Sequence, residues 1–118
     1  MKVSRGDVVL VDFPQSPGQP VQRRPALVVQ SDHNNTRLTN AIFAMITSNV
    51  SLANREPTQL LIDVSAADGK ISGLAHTSAV KCENLYTLPI ASVAKKLGSL
   101  PVTLMAQVDS CLKASLGL

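Results

Sequence analysis

A mainly β fold closed by one C-terminal helix is what this 118-residue chain predicts. Three observations carry that expectation. Short β-branched apolar runs recur through most of the chain, turn-forming clusters separate them, and only the last stretch repeats its apolar residues at helical spacing. The product would be a small curled sheet or β-barrel with the helix packed across it.

The first run is Val8–Phe13 (VVLVDF), preceded by Gly6-Asp7 and ended by Pro14, which reads as a strand. Residues 14 to 22, PQSPGQPVQ, carry three of the seven prolines and a glycine without periodicity, so they form a loop. A second strand follows over residues 26 to 30, with Pro25 biasing Arg24 toward an extended conformation. Ser31-Asp32-His33-Asn34-Asn35 is a polar turn cluster, and Ala41–Thr47 (AIFAMIT) is a central strand. Ser48 to Pro57 is polar and irregular, Leu60–Val64 is a further strand, and Asp68-Gly69 marks a tight turn. Ala79-Val80-Lys81-Cys82-Glu83 alternates with the period of a half-buried strand, which places Lys81 and Glu83 on one face and Val80 and Cys82 on the other. From Pro101 to Leu116, Leu104, Val108, Leu112 and Leu116 recur on one helical face, and Gly117 is the stop.

This length suits one domain spanning residues 1 to 118, with a core that needs no staples. Cys82 and Cys111 are far apart, with no Cys-x-x-Cys pair and no cluster of histidines nearby, so they read as buried apolar side chains rather than as metal or redox ligands. No cofactor is implied. No window reaches the ~20 apolar residues that span a bilayer, and the N-terminus lacks a signal-peptide core, so a cytoplasmic address is expected. A net charge of +3 leans toward a polyanionic partner. With one tyrosine, two phenylalanines and no tryptophan, such a partner would be held mainly by charge and hydrogen bonds rather than by stacking.

Arg23-Arg24-Pro25 sets two guanidinium groups where a loop enters a rigid strand. Arginine holds its charge at any working pH and grips phosphate through a planar fork of donors. Taken alone, the pair reads first as a solvated cap on a strand. Its place in an order of motifs weighs against that. Arg5-Gly6-Asp7, the Pro/Gly loop, Arg24-Pro25, Ile46-Thr47-Ser48, Val80-Lys81-Cys82-Glu83 and the Met105 and Val108 helix follow one another in a series that resembles the MazF/PemK family of toxin endoribonucleases.

That resemblance implies an SH3-like barrel of the CcdB/MazF type, a homodimer, a cognate antitoxin as protein partner, and metal-independent cleavage of single-stranded RNA. It also implies catalytic roles for Arg24 and Thr47, with Lys81 and Glu83 standing where some members carry an Arg-Cys-Asp pattern. Gly18-Gln19-Pro20 occupies the stretch where the family commonly has an ionisable loop residue, so this loop supplies no acid or base.

RNA can be cut without a metal because its 2′-OH attacks the adjacent phosphorus once a base takes its proton. Charge then builds on the phosphoryl oxygens. Arg24 is the leading stabiliser of that charge, Thr47 a second donor, and Lys81 a point charge better suited to electrostatic help than to proton donation. Glu83 is the leading base, on the expectation that partial burial raises its pKa while Lys81 pulls the other way. Arg23, Gln19, Ser48, Asn49, Arg37, Arg55 and His76 are the surrounding candidate RNA contacts. His76 could also replace the missing loop acid. His33 and the Lys95-Lys96 pair read as solvated surface. The alternative from another class is a CcdB-like toxin that inhibits DNA gyrase without catalysis, for which Arg24 and Thr47 would have no use.

Overall fold

Asp7–Phe13 forms β1 and Gln22–Val28 forms β2, antiparallel neighbours in which Val8 faces Leu27 and Val11 faces Arg24. The computed structural model describes residues 1–14 and 16–118; Gln15, inside the loop expected at 14 to 22, lies outside the described residues. Asn40–Thr47 is β3, Gln59–Ile62 is β4, Ser78–Pro89 is β5 and Val93–Ser99 is β6. All pairings are antiparallel and give one six-stranded sheet in the order β4-β5-β3-β2-β1-β6. The mainly β expectation with a terminal helix therefore holds, and β4 and β6 are the ends of the hydrogen-bonded order.

The central strands are buried on both faces, which is why their sequences are continuous apolar runs instead of alternating ones. Val8, Leu27, Ala44, Ile46, Leu60 and Val80 join one core cluster, while Val9, Val11, Ala26, Val28, Phe43 and Met45 join another on the opposite face. The helix α3, Val102–Leu116, lies against the first cluster through Leu104, Val108 and Cys111. Leu112 is only partly buried and Leu116 is exposed, so the buried stripe runs through Cys111 rather than along the expected Leu112 and Leu116 line. Gly117 ends the helix in the left-handed conformation (φ 73°) that glycine adopts at little cost, as expected of a stop. Cys82 and Cys111 are both buried and free, and burial pushes the Cys82 thiol up to about 12.

Several elements differ from the sequence expectation, β2 among them, since it runs Gln22–Val28 rather than 26 to 30 and so takes Arg23 and Arg24 into the strand. Asp32–Arg37 is a short helix, α1, where a polar turn was expected; Ser31 caps it, its Oγ accepting from the Asn34 amide at 3.4 Å. Ala67–Lys70 is a helical turn, α2, in place of the tight turn. β6 carries Lys95 and Lys96, and Lys96 is not merely solvated, since its Nζ lies 3.2 Å from the buried Asp7 carboxylate. Among the described residues no helix is long and apolar enough to cross a membrane.

The strand β5 is irregular where it matters most. Met45 faces Lys81 but Ala44 faces Leu85, so residues 82 to 84 bulge out of the β3 ladder. Three extra residues invert the alternation beyond the bulge. Lys81 and Tyr86, five positions apart, consequently share the face of Met45 and Phe43.

Candidate functional site

Arg24 lies on β2 two positions before Ala26, on the same sheet face as Met45 and Thr47 of β3 and Lys81 of β5. The rows Ala26–Met45–Lys81–Gln59 and Thr47–Ala79–Leu61 step across the sheet on that face. An open groove of about 540 Å³ runs beside them, lined among others by Arg23, Arg24, Thr47, Ser48 and His76. A second cleft of about 260 Å³ shares Arg24 and Thr47 and adds Lys81. The fold thus brings together Arg24, Thr47, Lys81, Ser48, His76 and Arg23.

Two local devices orient the arginines differently. Arg24 donates from Nη2 to Gln22 Oε1 at 2.7 Å, and its guanidinium stands 5.7 Å from the centre of the Phe13 ring, a cation–π distance. Its exposed side chain meets no carboxylate among the described residues. Arg23 points to the other side of the strand pair, where its Nε donates to Asp12 Oδ1 at 2.8 Å, a cross-strand ion pair. The charge of Arg24 is open to an anion, whereas that of Arg23 is already engaged.

Thr47 ends β3, and its Oγ1 accepts from the Asn49 amide at 3.1 Å, which leaves the hydroxyl proton free to donate. Asn49 in turn accepts from the Ser51 amide and hydroxyl, a compact turn that fixes Thr47 at the groove edge. Asn49 lies beside Thr47 and Lys81 in a small pocket of about 60 Å³. His76 is exposed in the bend before β5, where its carbonyl accepts from Ser78 Oγ at 2.7 Å.

Glu83 is placed differently from the expectation. It sits in the β5 bulge and turns to β4, accepting from Gln59 Nε2 at 2.7 Å and from Thr58 Oγ1 at 3.2 Å. It lines neither the main groove nor the Lys81 cleft. Burial does push its carboxyl upward, but the Gln59, backbone and Thr58 hydrogen bonds and the Lys81 charge outweigh that and hold it below the usual carboxylate value. The expected rise toward working pH is corrected to a fall.

Gln19 is in a surface turn of the Pro/Gly loop, its amide donating to the Ser16 carbonyl at 2.9 Å. Arg37 closes α1 and bonds Asn34, and Arg55 lies in the turn region between β3 and β4. These three stand away from the Arg24 groove's lining. The residues that sequence reasoning missed are Phe13, Asn84 and Tyr86, which line the Lys81 cleft. Phe13 was legible as the last residue of the first strand, but Tyr86 reaches this face only through the bulge.

The chain is 35% identical over 120 residues to the endoribonuclease MazF2 of Mycobacterium bovis, with all of both chains covered. It is 33% identical over 119 residues to the endoribonuclease MazF of Staphylococcus epidermidis, covering 98% of this chain and 92% of that one. In fold it matches a mycobacterial endoribonuclease solved in complex with its cognate antitoxin, at a TM-score of 0.80 and 22% identity over 98% of this chain and 96% of that one. The family model described as PemK-like, MazF-like toxin of type II toxin-antitoxin system matches residues 4–116, and the chain belongs to that family.

Proposed function

We propose that this chain is the toxin of a type II toxin–antitoxin pair, a homodimeric endoribonuclease that cuts single-stranded RNA in the cytoplasm and is held in check by a cognate antitoxin. The observation that carries this reading is the convergence of Arg24 and Thr47 on one groove, joined by Lys81 in the adjoining cleft. Those residues supply what RNA transesterification demands. The substrate's 2′-OH provides the nucleophile, so the protein's task is to stabilise charge and move protons.

In this mechanism the 2′-oxygen forms a bond to the adjacent phosphorus as the bond from phosphorus to the 5′-oxygen breaks, leaving a 2′,3′-cyclic phosphate and a 5′-hydroxyl. Arg24 faces the non-bridging oxygens with a guanidinium that no carboxylate among the described residues neutralises. Thr47 donates its hydroxyl proton to the same phosphoryl group, and Lys81 adds a positive charge. His76, the imidazole of the groove, takes the 2′-OH proton, and the departing 5′-oxygen collects its proton from solvent. Glu83 is a positioning residue in this scheme, tying the β5 bulge to β4.

The gyrase-inhibitor alternative is not favoured: it would leave Arg24 and Thr47 without work, and the relatives that match the whole chain are named endoribonucleases. The test is incubation of the purified protein with a long single-stranded RNA in the presence of chelator, beside Arg24→Ala. Discrete cuts are expected, with the variant slower by ~10²- to 10³-fold. RNA left intact by a protein that still arrests growth would sink the proposal.

A further inference from the structure

The chain has three aromatic side chains, and one of them, Phe43, is fully buried. The other two stand together beside Arg24. Phe13 and Tyr86 meet edge to face, with ring centres 4.6 Å apart and planes at 88°. Arg24 stacks over the Phe13 ring, so Phe13 is fixed between the cation and the tyrosine. Tyr86 keeps 39% of its surface exposed and lines the cleft of about 260 Å³ that also holds Lys81 and Asn84. The side-chain amide of Asn84 makes no hydrogen bond to another described residue, which leaves two donors and one acceptor free.

A half-exposed ring, an unused carboxamide and two cations in one small cleft are the parts of a nucleobase site. Unstacked RNA bases are bound by aromatic faces and read on their edges by hydrogen bonds. The cleft is many times the ~30 Å³ share of a water molecule, and lies just under the ~300 Å³ at which small-ligand pockets begin. Arg24 lines both the cleft and the main groove, so a phosphate held there carries the neighbouring base toward Tyr86.

We propose that this cleft is a base-stacking subsite, in which one nucleobase of single-stranded RNA stacks on Tyr86 and Asn84 reads its edge, with Phe13 as the residue that positions both Tyr86 and Arg24. The inference rests on the endoribonuclease reading given above. It adds a specificity element at a stretch where composition alone gave no stacking platform.

The chain's single tyrosine and lack of tryptophan make the test direct, because intrinsic tyrosine emission reports Tyr86 alone. Wild-type protein is titrated with 2′-O-methyl oligonucleotides, which cannot be cut, and emission is corrected for their absorption. Quenching is expected on saturation, and its loss when an abasic site occupies one particular position. Tyr86→Leu, which keeps an apolar contact with Phe13, should weaken binding of fluorescently labelled RNA by roughly 5- to 150-fold. Asn84→Ala should relax the base preference at one position of the cut sites in a randomised RNA pool. Binding without quenching, or with no position sensitive to base removal, overturns the subsite while leaving the nuclease intact. Quenching by an acidic peptide but not by RNA also overturns it, in favour of a protein occupant. Failure of the wild type to cut RNA removes the reading beneath it, a result the chelator assay identifies separately.

Discussion

Two donors converge on the Glu83 carboxylate, Gln59 at 2.7 Å and Thr58 at 3.2 Å, and both come from the β4 side of the sheet. Burial raises this carboxyl, and the hydrogen bonds with the Lys81 charge lower it further than burial raises it, so its folded pKa lies below the usual 4.5. A carboxylate of that kind adds stability above its unfolded pKa, and the contribution is lost as pH falls through the folded value. Chemical denaturation of wild type and Glu83→Gln should therefore give curves that converge between about pH 5 and about pH 3, with the wild type losing more. Asp32 and Asp63 are also lowered, but both proteins retain them, so the difference isolates Glu83. Parallel curves would mean that the clasp contributes nothing. Arg24 and Thr47 were legible because the family resemblance implies them and both lie on regular strands, β2 and β3. The sequence misplaced Glu83 because alternation assumes an unbroken ladder, and the ladder breaks at residue 82.

Among the elements, β6 escaped the sequence reading for a physical reason. It is an end strand paired only to β1, with two register shifts, and its lysines blunt an exposed edge instead of displaying an apolar run. α1 escaped because its six residues, DHNNTR, carry no apolar periodicity; the Ser31 cap and an Asn35 side chain bonded to the Gln30 carbonyl hold it. The strand β6 nonetheless builds a wall of the groove. Leu97 and the Gly73–His76 segment line it together, and the backbone of Gly98 and Ser99 runs against Ile71 and Ser72. Gly73 has φ +72°, and a Cβ there would lie 2.6 Å from the Leu97 carbonyl carbon. Gly73→Ala combines a left-handed backbone penalty with a clash against backbone, which costs about 2–4 kcal/mol and lowers Tm by roughly 8–15 °C. A thermal unfolding curve within about 2 °C of wild type would show that the loop yields without strain.

Charge on the whole molecule is close to balanced, 11 basic against 8 acidic residues, so its arrangement matters more than its sum. Among the described residues three cations form ion pairs: Arg5 with Asp109 at 2.7 Å, Arg23 with Asp12 at 2.8 Å and Lys96 with Asp7 at 3.2 Å. Arg24 and Lys81 form no direct ion pair among the described residues, Lys81 acting on Glu83 only through its charge, and both line one cleft. An unpaired cation releases a condensed counterion when it meets a phosphate, whereas a paired one must first give up its carboxylate. Each phosphate neutralised on a single strand contributes about −0.7 to the slope of log K against log salt. Measured by anisotropy from about 50 to about 200 mM salt, Lys81→Met should flatten that slope by about 0.7, and Lys96→Gln should leave it unchanged. Equal flattening by both would mean that RNA is held by diffuse positive charge spread over the surface. A difference between them would locate the electrostatic grip on the face that β2, β3 and β5 build together.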